Sequence, residues 1–231
     1  MASAPDIYKA ARKKILAKIK SELGSFPKAK KDFTAEQMVK VYNFAERYEV
    51  PSSDVFRLVQ KNKLAFLAIV AKDPNRMGFY EAELQKYLLT HSKFIKNVEL
   101  LSKSGKNALY LNNGKISNSK PTGVKSLDLR VTFKNGAVVY VVHKYTHQAG
   151  GAQSSALTDV RNTLGHAKGR SSVGNKVYVV AILDGNYYSK IGSKSKISKL
   201  EETRLLFPNS VITTWIDFVS DTKHLVNKPI R

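Results

Sequence analysis

The pattern of hydrophobic and polar residues changes character near the middle of the chain. Over residues 1–100, hydrophobic side chains recur every three or four positions, as Ile7, Ala11, Ile15 and Ile19 do, which is typical of amphipathic helices. The same spacing predicts further helices over residues 38–48, 52–59, 64–71 and 78–89. The sequence therefore predicts an N-terminal helical region that covers residues 1–100.

Beyond residue 105 the pattern becomes that of β-strands. Leu127, Leu129, Val131 and Phe133 alternate with polar residues, and an apolar run follows at residues 137–145. The intervening Asn-Gly pair, residues 135–136, is typical of a two-residue hairpin turn. Such a turn would place Asp128 opposite about His143, and so beside Lys144.

The remaining elements complete the fold class. Residues 108–111 form a predicted strand before an Asn-Asn-Gly turn, residues 154–167 and 197–207 are predicted helices, and residues 177–183 and 211–215 are predicted strands. This order predicts an α/β domain over residues 101–231, in which a mixed β-sheet is flanked by helices.

The charge of the chain points to a polyanionic partner. There are 39 Lys and Arg residues against 18 Asp and Glu, which gives a formal net charge of +21. Between residues 101 and 200 the imbalance is stronger, with 16 basic residues and only Asp128, Asp159 and Asp184 as acids. A field of this sign favours phosphate backbones, so we expect nucleic acid as the partner.

Several other classes of protein are disfavoured. The chain has no cysteine, which excludes disulfides and thiolate metal sites. Residues 1–23 are rich in Lys and lack the apolar core of a signal peptide, and no apolar run has the length of a membrane span. These features predict a cytoplasmic protein that does not enter a membrane.

Two residues of the predicted hairpin have the chemistry of phosphodiester hydrolysis. This reaction uses carboxylates to hold Mg²⁺ and a lysine to orient water and offset developing negative charge. Asp128 on the first strand and Lys144 on the second are predicted neighbours. The hairpin therefore predicts a candidate catalytic pair.

These residues resemble the motif of the PD-(D/E)XK nuclease superfamily, especially type II restriction endonucleases. Asp128 stands where the first acid of the motif is expected, and the triplet Val142, His143 and Lys144 stands at its (D/E)-X-K position. The segment 145–153, with its Gly-Gly pair and glutamines, and the segment 73–81, which ends in Glu81, are similar to segments of some members. The resemblance implies a restriction-endonuclease-like core and Mg²⁺-dependent, sequence-specific cleavage of double-stranded DNA.

The triplet departs from the motif because Val142 replaces its acid, and valine cannot bind a cation. Three explanations stay open: the acid has migrated to Asp159 on the following helix, Glu81 with Asp128 suffices, or the chain is inactive and only binds. Each acid also has a plainer interpretation. Asp128 could be a solvated strand residue, Asp159 a salt-bridge partner, and Glu81 an acid that complements its helix dipole.

Candidate DNA contacts follow from side-chain chemistry. Amides can pair with adenine, arginines with guanine, and lysines and histidine with phosphates. The residues with these properties are Gln148 and Gln153, Arg161 and Arg170, and Lys168, Lys190, Lys194, Lys196 and His147. A two-fold symmetric target would favour a homodimer, with monomers acting in succession as the alternative. The rival function is a non-catalytic or inactivated nucleic-acid-binding protein.

Overall fold

The structure is a computed structural model, and it describes residues 4–24, 26–70, 78–146, 151–167, 171–191 and 195–226. Its contacts divide the chain into two compact units: Tyr8–Phe79 forms one, and Met1–Ile7 with Tyr80–Arg231 forms the other. The predicted boundary lay at residues 100 and 101. The division lies between Phe79 and Tyr80, so the second unit includes nearly all of the helix Phe79–His91 as well as the strand Ile95–Leu100, which pairs within its sheet.

The first unit is helical, as the hydrophobic spacing predicts. Its helices are α1 (Ala4–Gly24) from Tyr8 onward, α2 (Ala35–Arg47), α3 (Ser52–Lys61) and α4 (Lys63–Ile69). Thr34 caps α2, since its side chain accepts a hydrogen bond from the backbone of Gln37, whose side chain bonds back to Thr34. The apolar faces of α2, α3 and α4 meet in a buried cluster that includes Val41, Phe56 and Phe66. This cluster gives the unit a hydrophobic core of its own.

The second unit is an α/β domain, which confirms the predicted fold class. Its strands are β1 (Ile95–Leu100), β2 (Tyr110–Asn112), β3 (Lys115–Ser117), β4 (Leu129–Phe133), β5 (Val138–Tyr145), β6 (Ser172–Gly174), β7 (Val177–Asp184) and β8 (Val211–Thr213). Its helices are α5 (Phe79–His91), α6 (Gly151–His166), α7 (Asn186–Ser189), α8 (Lys199–Leu206) and α9 (Phe218–Val226). None of the described helices is long and apolar enough to cross a membrane.

The main sheet is mixed and has the order β1-β4-β5-β7-β6, with β8 pairing to β7. The β1, β4 and β5 strands run antiparallel, whereas β5, β7 and β8 are parallel neighbours. The parallel pair of β5 and β7 is connected through α6, as a parallel connection requires. On one face of the sheet, Val142 and Ala181 pack against Leu157, Val160 and Leu164 of α6. The apolar face of α6 therefore covers the centre of the sheet on that side.

The hairpin of β4 and β5 is confirmed, but its predicted register is wrong by one residue. Phe133 donates its backbone N–H to Ala137 at 2.8 Å, and Leu129 pairs with Val141. The connection therefore has three residues, 134–136, instead of two. A two-residue type I′ turn needs a positive φ at both central residues, whereas here Gly136 has a positive φ of 83° and Asn135 does not. Continuing this register places Asp128 beside Val142, one residue from the predicted His143.

Candidate functional site

Asp128 and Lys144 lie together where β4 begins and β5 ends. Asp128 is the residue before β4, and it is buried, with 6% of its surface exposed. Its Oδ2 accepts the backbone N–H of His143 at 2.8 Å, and the Lys144 Nζ lies 4.0 Å from the same oxygen. The structure thus brings the predicted catalytic pair together and fixes the carboxylate through the backbone of the partner strand.

His143 and Asp184 form a second, buried pair that the sequence did not predict. The two residues lie on the neighbouring parallel strands β5 and β7, and His143 Nε2 is 3.4 Å from Asp184 Oδ2. Asp184 Oδ1 also accepts the backbone N–H of Trp215 at 3.2 Å. His143 therefore joins the two acids, since its backbone holds Asp128 while its ring faces Asp184.

Glu81 lies in the first turn of α5 and is mostly buried. Its Oε1 is 2.7 Å from the Nζ of Lys103. Burial raises the pKa of Glu81, but electrostatic attraction from His143 and the hydrogen bond and charge of Lys103 outweigh it, so that its pKa lies below the ordinary value. Glu81 is therefore an ionised carboxylate that interacts electrostatically with both Lys103 and His143.

Asp159 lies on α6 and is paired with a different lysine. Its Oδ2 is 2.7 Å from the Nζ of Lys125, in the segment before β4. Each of the three predicted metal-binding acids thus has its own ammonium partner, namely Lys144, Lys103 or Lys125. Within the described residues, no three His, Asp or Glu side chains form a group that could hold a metal ion.

Val142 occupies the position of the missing acid and points into the hydrophobic core. Its side chain is fully buried and packs in the cluster with Leu157 and Val160 of α6. An acid at this position would need room and polar neighbours that this cluster does not provide. The valine is therefore consistent with its surroundings.

Mg²⁺ needs few protein ligands when a substrate supplies the rest. It is usually bound through one or two carboxylates together with water and substrate phosphates. Asp128, with a carboxylate already oriented by the His143 backbone, meets this minimum. Within the described part of the chain, Asp128 thus offers a single oriented carboxylate, and water and a substrate phosphate would have to supply the other ligands of a Mg²⁺ ion.

The predicted DNA contacts are scattered. The Arg161 side chain contacts residues of α8: its Nη2 lies 3.0 Å from Glu202 Oε1 and donates a hydrogen bond to Thr203 Oγ1 at 3.3 Å. Lys190 and Lys196 are exposed. Gln153 lies in α6, where only its backbone is described. The other predicted contacts fall outside the described residues, and these are His147, Gln148, Lys168, Arg170 and Lys194.

A comparison with models of known protein families finds no match. A comparison with curated proteins likewise finds no significantly similar sequence. The proposed function therefore rests on the geometry of the site and on the sequence.

Proposed function

We propose that the chain is a Mg²⁺-dependent endonuclease that cuts double-stranded DNA. The observation that carries this proposal is the pair formed by Asp128 and Lys144, with Nζ 4.0 Å from Oδ2. A buried carboxylate and an ammonium group are held at adjacent strand ends in a chain of net charge +21. This combination supplies the two groups that metal-assisted phosphodiester hydrolysis uses, within a protein that attracts phosphate.

The chain's own residues have distinct parts in this reaction. Asp128 would hold Mg²⁺, which supplies Lewis-acid polarisation of the phosphate when it is bound. The Lys144 ammonium would orient the attacking water and offset the negative charge that develops on the phosphate oxygens. The backbone N–H of His143 fixes the Asp128 carboxylate, so that little reorganisation is needed when DNA arrives.

Glu81 and Asp159 stay candidates for a second metal ligand. Both are now paired with exposed lysines, since Lys103 is 49% and Lys125 57% exposed. An exposed ammonium can leave its partner at small cost because surface ion pairs contribute about 0–1 kcal/mol. Either acid could therefore exchange its lysine for a metal ion. Substituting each acid in turn distinguishes the two candidates.

Sequence specificity of the type II restriction kind, action as a homodimer and a cytoplasmic location belong to the same proposal. Sequence specificity and a homodimer on a two-fold target follow from the resemblance of Asp128 and the Val142–Lys144 triplet to the nuclease motif, and the cytoplasmic location from the Lys-rich, amphipathic character of residues 1–23.

A second candidate function is a nucleic-acid-binding protein that does not cut. The burial of Val142 in the hydrophobic core favours it, because the triplet then lacks its acid. The separate lysine partners of Glu81 and Asp159 favour it as well. In this case the positive charge of the chain serves only to bind nucleic acid.

The deciding experiment incubates supercoiled plasmid with the protein and Mg²⁺, with methylated plasmid in parallel. We expect Mg²⁺-dependent cleavage, with Asp128→Asn and Lys144→Ala each lowering the rate at least about 100-fold while DNA affinity changes little. Lys134→Ala is the matched control, because Lys134 is exposed at the opposite end of the same hairpin.

The outcomes separate the two functions. DNA binding without cleavage on either plasmid would overturn the endonuclease and leave the non-catalytic binder. Cleavage that survives Lys144→Ala would show that the site is wrong. Sequencing the fragment ends tests specificity, and comparing Glu81→Gln with Asp159→Asn shows which acid assists Asp128.

A further inference from the structure

The segment that connects β1 to β4 carries lysines and no acid. Residues 101–127, here called the lysine segment, contain neither Asp nor Glu. Among the described residues, no acidic side chain forms an ion pair with Lys106, Lys115 or Lys120. The five lysines of the segment, all of them exposed, are Lys103, Lys106, Lys115, Lys120 and Lys125. The middle of the lysine segment therefore presents positive charge that no neighbouring acid offsets.

Both ends of the lysine segment lie beside the candidate site. Leu101 donates its backbone N–H to the carbonyl oxygen of Asp128 at 2.9 Å. The Ser126 hydroxyl donates to the carbonyl oxygen of Lys103 at 3.0 Å, which ties the two ends together. The Nζ of Lys103 in turn contacts Glu81. The segment thus leaves and rejoins the sheet where β4 begins, next to the predicted catalytic carboxylate.

The middle of the lysine segment is a hairpin that is fixed to the rest of the unit. Leu111 of β2 pairs with Ile116 of β3, and both pack in a hydrophobic cluster with β7. At the tip of the hairpin, Gly114 donates its N–H to the carbonyl oxygen of His166 in α6 at 2.7 Å. The surface is therefore formed before a ligand arrives, which lowers the entropic cost of binding.

Three of the lysines lie close together on this hairpin. Lys115 pairs with Asn112, on the hairpin face away from the hydrophobic cluster, because alternate strand residues face opposite sides. The Asn118 amide donates to the carbonyl oxygen of Lys106 at 2.9 Å, and Lys120 follows two residues later. Lys115 and Lys120 are at most about 18 Å apart, since five residues of extended chain span no more. Duplex DNA carries one charge per about 1.7 Å of its axis, so several phosphates can face these lysines.

The other side chains of the lysine segment suit a phosphate backbone better than a lipid surface or a single strand. Among its described residues no large hydrophobic side chain is exposed, whereas binding to a lipid surface combines basic with apolar side chains. Its one aromatic residue, Tyr110, is buried, which leaves no ring for unpaired bases to stack on. Exposed hydroxyl and amide groups that can bond to phosphate oxygens are those of Ser104, Asn107, Asn113, Ser119 and Thr122.

We propose that the lysine segment binds the phosphate backbone of duplex DNA beside the candidate site, through Lys106, Lys115 and Lys120. This inference rests on the proposed function through its DNA partner, which the endonuclease and the binder that does not cut have in common. Contacts to phosphates carry no base information but fix the position of the duplex. The lysine segment therefore sets where the DNA lies relative to Asp128 and leaves the choice of sequence to other residues.

The test measures the salt dependence of DNA binding by the full chain. Fluorescence anisotropy gives the affinity for a labelled duplex in EDTA, so that bound DNA is not cut. Each phosphate contact contributes about 0.9 to the slope of log affinity against log salt concentration. The triple variant Lys106→Ala, Lys115→Ala and Lys120→Ala should therefore lower this slope by about 2–3 and weaken binding at about 0.1 M salt by about 50- to 500-fold.

A second triple variant removes the same charge elsewhere in the unit. Lys93, Lys96 and Lys134 are exposed at the opposite end of β4 from Asp128, where Lys134 donates its N–H to Phe94. Their replacement by alanine should change the slope by less than about 1. Arginine at the three proposed positions keeps the charge and should keep the slope. Glutamine at the same positions provides another removal of charge if the alanine variant does not fold, which circular dichroism checks.

The possible failures are distinguishable. If the two alanine variants lower the slope equally, the net charge acts diffusely, and the binding surface is overturned while the proposed function stands. If the arginine variant fails as the alanine variant does, charge is not the cause and the surface is again overturned. The same holds if the alanine variant keeps its DNA affinity and instead loses binding to phosphatidylserine vesicles. If the unsubstituted chain binds no DNA, the proposed function falls first and this inference falls with it.

Discussion

Among the glycines in the described part of the chain, Gly185 is the one where an added methyl group should damage the site most. It follows Asp184 at the end of β7 and has φ of 98° and ψ of 166°, a conformation that is essentially restricted to glycine. A Cβ at this position would collide with the carbonyl oxygen of Thr146 and lie 2.7 Å from its carbonyl carbon. Thr146 cannot yield easily, because hydrogen bonds to Asp184 and Tyr187 hold both sides of its peptide.

Two costs add in the Gly185→Ala variant. The backbone conformation costs about 1–3 kcal/mol for a residue with a Cβ. The collision with fixed backbone costs about another 1–3 kcal/mol, as overpacking does elsewhere. We therefore expect Gly185→Ala to lower the free energy of unfolding by about 2–6 kcal/mol. Gly136→Ala is the matched control, because its φ is 83° but nothing lies within 4 Å of the added Cβ, so we expect about 1–2 kcal/mol.

Trp215 provides the assay. It is the only tryptophan of the chain, it is buried, and its backbone N–H bonds to Asp184, the neighbour of Gly185. Its fluorescence therefore reports unfolding of the α/β unit in urea, and the midpoint and slope give the free energy. If Gly185→Ala costs no more than Gly136→Ala, the close approach of Thr146 and Gly185 does not constrain the strand ends.

Two further predictions concern ionised side chains. The pKa of Glu81 is below its ordinary value of 4.5, so its charge stabilises the fold above that pH and this stabilisation is lost as the pH falls through the lower, folded pKa. The free energy of unfolding of Glu81→Gln should therefore decrease less steeply in acid than that of the wild type, and an equal acid dependence would contradict the pairing with Lys103 and His143. Arg161→Ala should lower stability by about 1 kcal/mol, because Glu202 loses one of its two basic partners and keeps only Lys199, and should leave DNA affinity nearly unchanged. A loss of affinity at unchanged stability would instead support the predicted contact with DNA.

The sequence predicted most of the elements because their signals are local. The Asn-Asn-Gly turn before β3 and the buried apolar run of β7 each determine their structure within a few residues. The β1 strand was missed, because a short edge strand with two buried residues, Ile95 and Val98, has a spacing that also fits a helix. The register of β4 and β5 was missed by one residue because an Asn-Gly pair also fits a three-residue turn.

The candidate site was predictable only where its parts lie close in sequence. Asp128 and Lys144 are joined by one hairpin, so that their proximity follows from strand pairing alone. The pairing of His143 with Asp184 depends on the parallel alignment of β5 and β7, which no local pattern specifies. The local signal for this pair was the position of Asp184 at the end of a buried apolar strand, because a buried carboxylate needs a partner. The partners of Asp159 and Glu81 are likewise set by tertiary packing.

The mixed sheet also has a consequence for the order in which the site assembles. The hairpin that joins Asp128 and Lys144 closes a short loop, whereas the alignment of His143 with Asp184 must wait until α6 has crossed over and β7 has docked. Loops that are closed over longer stretches of chain cost more entropy and form later. We therefore expect the Asp128–Lys144 pair to exist in early folding species, and the pairing of His143 with Asp184 to form later.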